Sequence, residues 1–342
     1  MGSREWGEAL YTLLPTPHFQ LMCHWTTTAV FLLILLATAC TQTQPALPTA
    51  AVAAILPTAT ATLPPATAEL LPATSTPIST ATISPTVTPT ATPPGCTTPG
   101  RIETGSYPSA LAGESNYRIY LPPCYGENGR FYPTLYLLPG NIHSDAIWDT
   151  LGMDEAAEAA IRRGDLPPLL IVMADGGHLL NYTSGGSGSY ESLILDDLIP
   201  FVEASYCAWG EPAGRAIGGL SRGGYWALEI AFRHPNHFAS VGGHSAALLD
   251  TYAGADLNPE YTGLSQDLGN LRVYFDIGED DWSITPIRQL HEAMDAANIS
   301  HTWVLNPGGH DDAYWSAHVA DYLRWYAALW SFDEKAYQFC DQ

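Results

Sequence analysis

Basic residues are scarce in this chain of 342 residues, and lysine is almost absent. Lysine and arginine together number 13, against 35 aspartates and glutamates, and Lys335 is the single lysine. The formal net charge is −22. A nucleic-acid-binding protein needs a basic surface to neutralise phosphates, and a polybasic patch is what attracts a protein to anionic lipid. We therefore expect no nucleic-acid partner and no polybasic membrane contact.

Long hydrophobic runs are also missing. The longest run, residues 26–39, is shorter than the roughly 20 residues that span a bilayer, but it suits the apolar core of a signal peptide. It ends directly before Cys40, and a small residue before cysteine is typical of a bacterial lipoprotein box. We predict a signal peptide over residues 1–39 and a lipid anchor on Cys40. Plain secretion and an uncleaved leader remain alternatives, and Met22 is an alternative start.

Charge is nearly absent from residues 41–100, which contain one charged residue, Glu69, beside 12 prolines and 17 threonines. Such a segment has no apolar periodicity, and its prolines favour an extended chain. We predict a lipidated cysteine and a disordered stalk over residues 40–100. The change in composition near residue 100 indicates a domain boundary, with a folded domain over residues 101–342.

Cysteines are few, and their number is informative. Removal of the leader leaves five, and acylation of Cys40 would leave an even set of four. Paired cysteines suit an oxidising compartment, so we expect a bacterial protein exported to the cell surface or the medium. Of the three possible pairings we favour Cys96–Cys124 with Cys207–Cys340.

Short apolar runs alternate with amphipathic helical segments throughout the last 242 residues. The runs lie at residues 117–121, 134–138, 169–174, 216–220, 238–242, 271–277 and 302–305. The helical segments lie at 154–163, 191–206, 225–234, 287–297 and 314–330. This alternation predicts an α/β fold with a mostly parallel central sheet and helices on both faces. The chemistry of such a fold lies at the carboxyl ends of its strands.

A Gly-x-Ser-x-Gly motif, Gly219 to Gly223, stands between a predicted strand and a predicted helix. Both glycines are needed because the turn from strand to helix leaves no room for side chains. Ser221 would then take a strained conformation that lifts its hydroxyl out of the sheet. We predict that Ser221 is a nucleophile; the alternative is a serine that caps the helix.

A serine nucleophile needs a base that is oriented by an acid, each placed after a later strand. His310 follows the last predicted strand in a glycine-rich turn, and it is the predicted base. Asp281 is the predicted acid, with Asp280 and Glu279 as alternatives.

Two further polar residues near these strands have a structural interpretation. His244 is expected to be a hydrogen-bonded pocket or core histidine, and Asp276, inside a strand, a structural carboxylate.

The tetrahedral intermediate of acyl transfer needs two donors for its oxyanion. The backbone N–H of Arg222 is one candidate, and the N–H of Asn141, in the loop after the second predicted strand, is the other. The alternative for Asn141 is an ordinary turn.

Residues from about 115 to 330 resemble the esterase family of α/β-hydrolases. That family includes feruloyl and acetylxylan esterases, S-formylglutathione hydrolase, enterochelin esterases and mycolyltransferases of the antigen 85 type. The resemblance rests on residues 117–123, 136–140, 190–191, 198–200, 219–224, 308–311 and 314–315. It implies the α/β-hydrolase fold and a Ser-Asp-His triad made of Ser221, Asp281 and His310.

Aromatic side chains near the predicted loops could contact sugars or aromatic acyl groups. These are Trp148, Tyr182, Trp226, Trp282 and Trp315. No metal-ligand spacing, phosphate-binding glycine loop or nucleotide fingerprint stands out, so we expect neither metal nor cofactor. The favoured function is a serine carboxylic-ester hydrolase, with feruloyl or acetyl esters of polysaccharides as candidate substrates. An acyltransferase and a non-catalytic surface binding protein are the alternatives.

Overall fold

The computed structural model describes residues 96–249 and 251–340. Eight strands form one sheet in the order β1-β2-β4-β3-β5-β6-β7-β8. The strands are β1 (Arg101–Ser109), β2 (Gly113–Leu121), β3 (Thr134–Leu138), β4 (Leu170–Ala174), β5 (Arg215–Leu220), β6 (Ser240–His244), β7 (Arg272–Gly278) and β8 (Thr302–Asn306). β2 pairs antiparallel with both β1 and β4, and the remaining pairs are parallel.

Helices cover both faces of the sheet, as predicted. They are α1 (Ile147–Thr150), α2 (Met153–Arg163), α3 (Gly177–Tyr182), α4 (Tyr190–Ser192), α5 (Ile199–Ser205), α6 (Arg222–Arg233), α7 (Pro259–Ser265), α8 (Ile284–Ala296) and α9 (Asp312–Ala327). A π-helical stretch, Leu193–Leu198, joins α4 to α5.

Side chains alternate along each strand, so each face has its own core. On β3, Leu135 and Leu137 pack with α1, α2 and α9, whereas Tyr136 and Leu138 pack with α5, α6 and α8. All five residues of β3 are buried, because it lies between two strands and under helices on both sides. Most apolar runs of the sequence are therefore inner strands with two buried faces, whereas the run at 302–305 is the edge strand β8, which is only partly buried.

The two predicted disulfides are confirmed. Cys96 bonds to Cys124, with 5.8 Å between the Cα atoms, and Cys207 bonds to Cys340, with 5.7 Å. The second bond joins the end of the chain to the loop before β5, across 133 residues of sequence.

The predicted export features lie outside the described residues. These are the signal peptide at 1–39, the lipidated Cys40 and the stalk up to residue 95. Within the described ranges, no helix has the length and apolar character needed to cross a membrane.

Candidate active site

Ser221 is the single residue between β5 and α6, and its backbone has φ 54° and ψ −117°. An L-residue in this region is strained by about 1–3 kcal/mol and persists only where its surroundings fix it. The surroundings do so, because the Ser221 N–H donates to the His244 carbonyl and its own carbonyl accepts from Ala247 N–H. A Cβ at Gly219 would lie 2.3 Å from the backbone of Gly223, so the turn requires glycine there.

The side chains of Ser221, His310 and Asp281 form one hydrogen-bonded chain. His310 Nε2 lies 2.8 Å from Ser221 Oγ, and His310 Nδ1 lies 2.9 Å from both carboxylate oxygens of Asp281. His310 comes from the loop between β8 and α9, and Asp281 from the loop between β7 and α8. The carboxyl ends of β5, β7 and β8 thus bring together the three residues singled out by the sequence.

The Asp281 carboxylate is buried, with 2% of its surface exposed, yet it is ionised. Burial by itself raises the pKa of this carboxyl. Hydrogen bonds from His310, from the Ser283 N–H and from the Ser283 hydroxyl outweigh burial, so the pKa is lowered overall. An anion at this position fixes the proton of His310 on Nδ1 and leaves Nε2 free to accept a proton from Ser221.

The alternative acids lie elsewhere. Glu279 and Asp280 are exposed, and of the three candidates only the Asp281 carboxylate is hydrogen-bonded to His310.

His244 and Asp276 are structural, as expected. Both are fully buried, and His244 Nδ1 lies 2.7 Å from Asp276 Oδ1. Tyr314 and Tyr322 donate to the other carboxylate oxygen, and Tyr326 contacts His244 Nε2. This network joins β6 and β7 to α9 beneath the candidate site.

The two candidate oxyanion donors belong to different elements: Arg222 begins α6, and Asn141 lies in the loop after β3. The N–H of Arg222 occupies the first helical position of α6, where no carbonyl of the same helix can accept it. The Asn141 carbonyl accepts from Asn181 Nδ2 at 3.0 Å, which ties the loop after β3 to α3. The Arg222 side chain points away from this site and donates to the carbonyls of Leu180 and Thr183.

Three of the five aromatic side chains predicted to contact substrate are buried. Trp148 and Trp226 lie in the two cores and donate to main-chain carbonyls, which corrects the prediction that they reach a ligand. Trp315 is buried edge-to-face against His310, with 5.1 Å between ring centroids. Tyr182 and Trp282 are 75% and 59% exposed, and the Trp282 ring lies 4.6 Å from that of His310.

His143 is a neighbour of the site that the sequence analysis did not single out. It follows Asn141 by two residues, and its ring lies edge-to-face against Trp315. Its Nδ1 is buried without a hydrogen-bond partner among the described residues. Burial lowers the pKa of this imidazole, so it is neutral at pH 7. The sequence feature that could have identified His143 is its position in the predicted oxyanion loop.

The strand order and the serine at the turn between β5 and α6 define the chain as an α/β-hydrolase. A family model described as "Putative esterase" matches residues 109–330, and the chain belongs to this family.

Related proteins carry esterase names. The chain is 33% identical over 144 residues to "Esterase Rv1288" of Mycobacterium tuberculosis, a match that covers 40% of this chain and 30% of that protein. It is 29% identical over 155 residues to "Endo-1,4-beta-xylanase/feruloyl esterase" of Xylanibacter ruminicola, covering 42% of this chain and 21% of that one. The chain therefore spans less than a third of the length of these relatives.

Solved structures share the fold. A ferulic acid esterase superposes with a TM-score of 0.62 at 22% identity, covering 68% of this chain and all of the other. A feruloyl esterase module from Clostridium thermocellum superposes with a TM-score of 0.55 at 22% identity, covering 70% and 90%.

Proposed function

We propose that the protein is a serine carboxylic-ester hydrolase that works through an acyl-enzyme. The observation that carries this proposal is the hydrogen-bonded chain from Ser221 through His310 to the buried, ionised Asp281. Membership of the esterase family supports the same reaction class.

In the proposed mechanism Ser221 Oγ attacks the ester carbonyl while His310 Nε2 takes its proton. The backbone N–H groups of Asn141 and Arg222 stabilise the oxyanion. His310 then gives the proton to the departing alcohol, which leaves the acyl group on Ser221. A water molecule then attacks the acyl-enzyme, with His310 as base, and this second step releases the acid and restores Ser221.

Ser221→Ala tests the nucleophile. We expect turnover to fall by about three orders of magnitude or more with the fold intact, because a methyl group cannot form the acyl-enzyme. The measurement is hydrolysis of short-chain p-nitrophenyl esters by the full-length chain. Ser240→Ala is the matched control, since it removes a buried hydroxyl at the start of β6 and should keep wild-type turnover. Unchanged hydrolysis in Ser221→Ala would refute the proposal.

Exposed apolar side chains on the elements that carry the candidate site support an apolar, aromatic acyl group as substrate. The exposed Ile142 follows the candidate oxyanion residue, Tyr182 follows Asn181, which holds that loop, and Trp282 lies against His310. These are three of the four most exposed large apolar side chains in the described ranges. We propose feruloyl esters of polysaccharides as the substrates. This choice is supported by two similar proteins whose names are those of feruloyl or ferulic acid esterases.

A panel of feruloyl, acetyl and short-chain p-nitrophenyl esters tests this specificity. We expect Trp282→Ala to raise KM for a feruloyl ester about tenfold and to leave acetyl-ester hydrolysis nearly unchanged, because a stacking contact is lost. Leu329→Ala removes an exposed apolar side chain at the far end of the chain and serves as control. Equal losses on both esters would contradict an acyl-binding role.

Product analysis with an added sugar acceptor distinguishes hydrolysis from acyl transfer.

We also propose that the protein is exported and anchored through a lipid on Cys40. The two disulfides support an oxidising compartment, and the short apolar run before Cys40 suits a cleaved leader.

A further inference from the structure

Two histidines and an aspartate form a cluster of candidate metal ligands between α8 and β8. His291 and Asp295 are four residues apart on α8 and therefore share one face of the helix. His301 directly precedes β8. One ligand atom of each residue lies within 4.8 Å of the others.

The hydrogen bonding of His301 leaves one nitrogen available to a metal. Its Nδ1 lies 2.8 Å from the Ile299 carbonyl and donates to it, so Nε2 carries the lone pair. Metal-binding histidines are usually oriented in this way, with the second ring nitrogen donating to a carbonyl or carboxylate. The His301 side chain is 2% exposed, so this orientation is fixed by packing.

His291 faces that lone pair. Its Nδ1 lies 2.7 Å from His301 Nε2, and its ring is stacked on Trp303 with an interplanar angle of 4°. Without a metal, His291 Nδ1–H donates to His301. Two nitrogen ligands of a tetrahedral zinc ion are about 3.3 Å apart, so a small separation of the rings would admit the ion. The proton on His291 Nδ1 would then move to Nε2 through solvent.

Asp295 lies in the last turn of α8, where the helix dipole disfavours a carboxylate. That turn holds no basic residue to offset it. The Asp295 carboxylate oxygens lie 3.7 Å from His291 Nε2 and 3.8 Å from His301 Nε2, and the side chain is 66% exposed. A cation between the three side chains would offset both the unfavourable helix dipole and the negative charge of Asp295.

We propose that His291, Asp295 and His301 bind one zinc ion, with water as the fourth ligand. Imidazole nitrogen and carboxylate oxygen are ligands that zinc takes in proteins. The spacing along the chain did not predict this site, because His301 belongs to a different element from the other two. His301 precedes β8 and His310 follows it, so the zinc site and the triad lie at opposite ends of that strand. The ion would tie the end of α8 to β8.

Calorimetric titration of the metal-free, full-length chain with Zn²⁺ tests the site. We expect one equivalent to bind with a Kd of about 1 µM, weaker than four-ligand structural zinc. Zinc at about 100 times Kd should raise Tm by roughly 5 °C. Co²⁺ in place of Zn²⁺ should give visible d–d absorption from a site of low coordination number.

Variants locate the ion. Asp295→Asn changes an exposed side chain, keeps the fold and should weaken zinc binding about tenfold, while His291→Ala should abolish binding in this range. His318→Ala is the matched control. His318 pairs with Asp321 on α9 at 3.7 Å, but the two belong to no cluster of three candidate ligands among the described residues. Absence of saturable binding at about 100 µM Zn²⁺ would overturn the proposal. So would unchanged binding in both His291→Ala and Asp295→Asn.

Discussion

Asp281 accepts hydrogen bonds from two residues, His310 and Ser283. Both oxygens face His310 Nδ1, and Oδ1 also accepts from the backbone and the hydroxyl of Ser283. Asp280, its neighbour, is exposed, and its N–H donates to the Gly308 carbonyl. Adjacent side chains in a tight loop point apart, and here one reaches His310 while the other faces solvent.

Asp281→Asn should lower turnover at least about 100-fold. An amide can donate to His310 Nδ1, which would stabilise the wrong tautomer and leave Nε2 unable to accept the Ser221 proton. The same replacement in a serine protease costs about 10⁴ in turnover. Asp280→Asn is the matched control and should stay within about tenfold of wild type. Steady-state kinetics on one ester compare the turnover of the two variants. A larger loss in Asp280→Asn than in Asp281→Asn would assign the role of the acid to Asp280.

The residues of the candidate triad could be predicted from sequence because each follows a strand of the sheet closely. Ser221 is one residue past β5, Asp281 three past β7 and His310 four past β8. Side chains that pack between elements could not be predicted in this way. Trp226 looked like a contact at a helix start, but it turns into the core, where its Nε1 donates to Leu180 on a separate helix.

At the scale of elements, α6 carries an unusual group of charges behind the candidate nucleophile. Glu229 and Arg233 are one turn apart, and Arg233 contacts both Glu229, at 2.9 Å, and Glu191 of α4. Glu191 also lies 2.5 Å from His234 Nε2. Glu229 is fully buried, and its Oε2 has no hydrogen-bond partner among the described residues. Burial and the nearby Glu191 charge raise the pKa of Glu229 to about 9.

Glu229 should make folding less favourable as the pH rises. An acid with a higher pKa in the folded state holds its proton there, so its stabilising contribution is complete below its unfolded pKa of 4.5 and is lost toward pH 9. Glu229→Gln removes the titration, and between pH 6 and pH 8 wild type should lose about 3 kcal/mol relative to this variant. Urea unfolding at the two pH values measures the difference.

Glu203→Gln is the control for this experiment. Glu203 also pairs with an arginine, Arg215, but the Glu203 carboxylate is nearer to solvent than that of Glu229. The free energy of unfolding of Glu203→Gln should therefore keep the pH dependence of wild type. If Glu229 stayed ionised beside Arg233, the Gln variant would be less stable at both pH values by the same amount.

The strands buried on both faces were predicted with the closest bounds, and the edge strand β8 was also predicted, from the apolar run at 302–305. The predicted run at 134–138 coincides with β3, and the other central strands are displaced by one or two residues. β1 was missed because it is an edge strand that alternates exposed and buried residues and has no apolar run. α1, α3 and α7 were missed because helices of four to seven residues show too few turns for periodicity.

At the scale of the whole molecule, the two disulfides point to an oxidising environment. The described domain lies within a region of 32 acidic and 12 basic residues, and its last residues are tied by the Cys207–Cys340 bond. The C-terminal segment also pairs with residues near Arg130, since the Cys340 N–H donates to the Gly129 carbonyl. A chain closed by disulfides is suited to conditions outside the reducing cytosol.

Cys40→Ser should release the protein from membranes into the medium or periplasm without changing its specific activity. The acyl chains of the proposed anchor need the Cys40 sulfur, whereas the candidate site lies in the domain that follows the threonine- and proline-rich segment. The measurement is the fraction of ester hydrolase activity in washed membranes compared with soluble fractions. Cys23→Ser is the matched control and should stay with the membranes, because Cys23 falls inside the leader that is removed. A Cys40→Ser protein that remains membrane-bound would indicate an uncleaved leader, and a wild-type protein that is already soluble would indicate plain secretion.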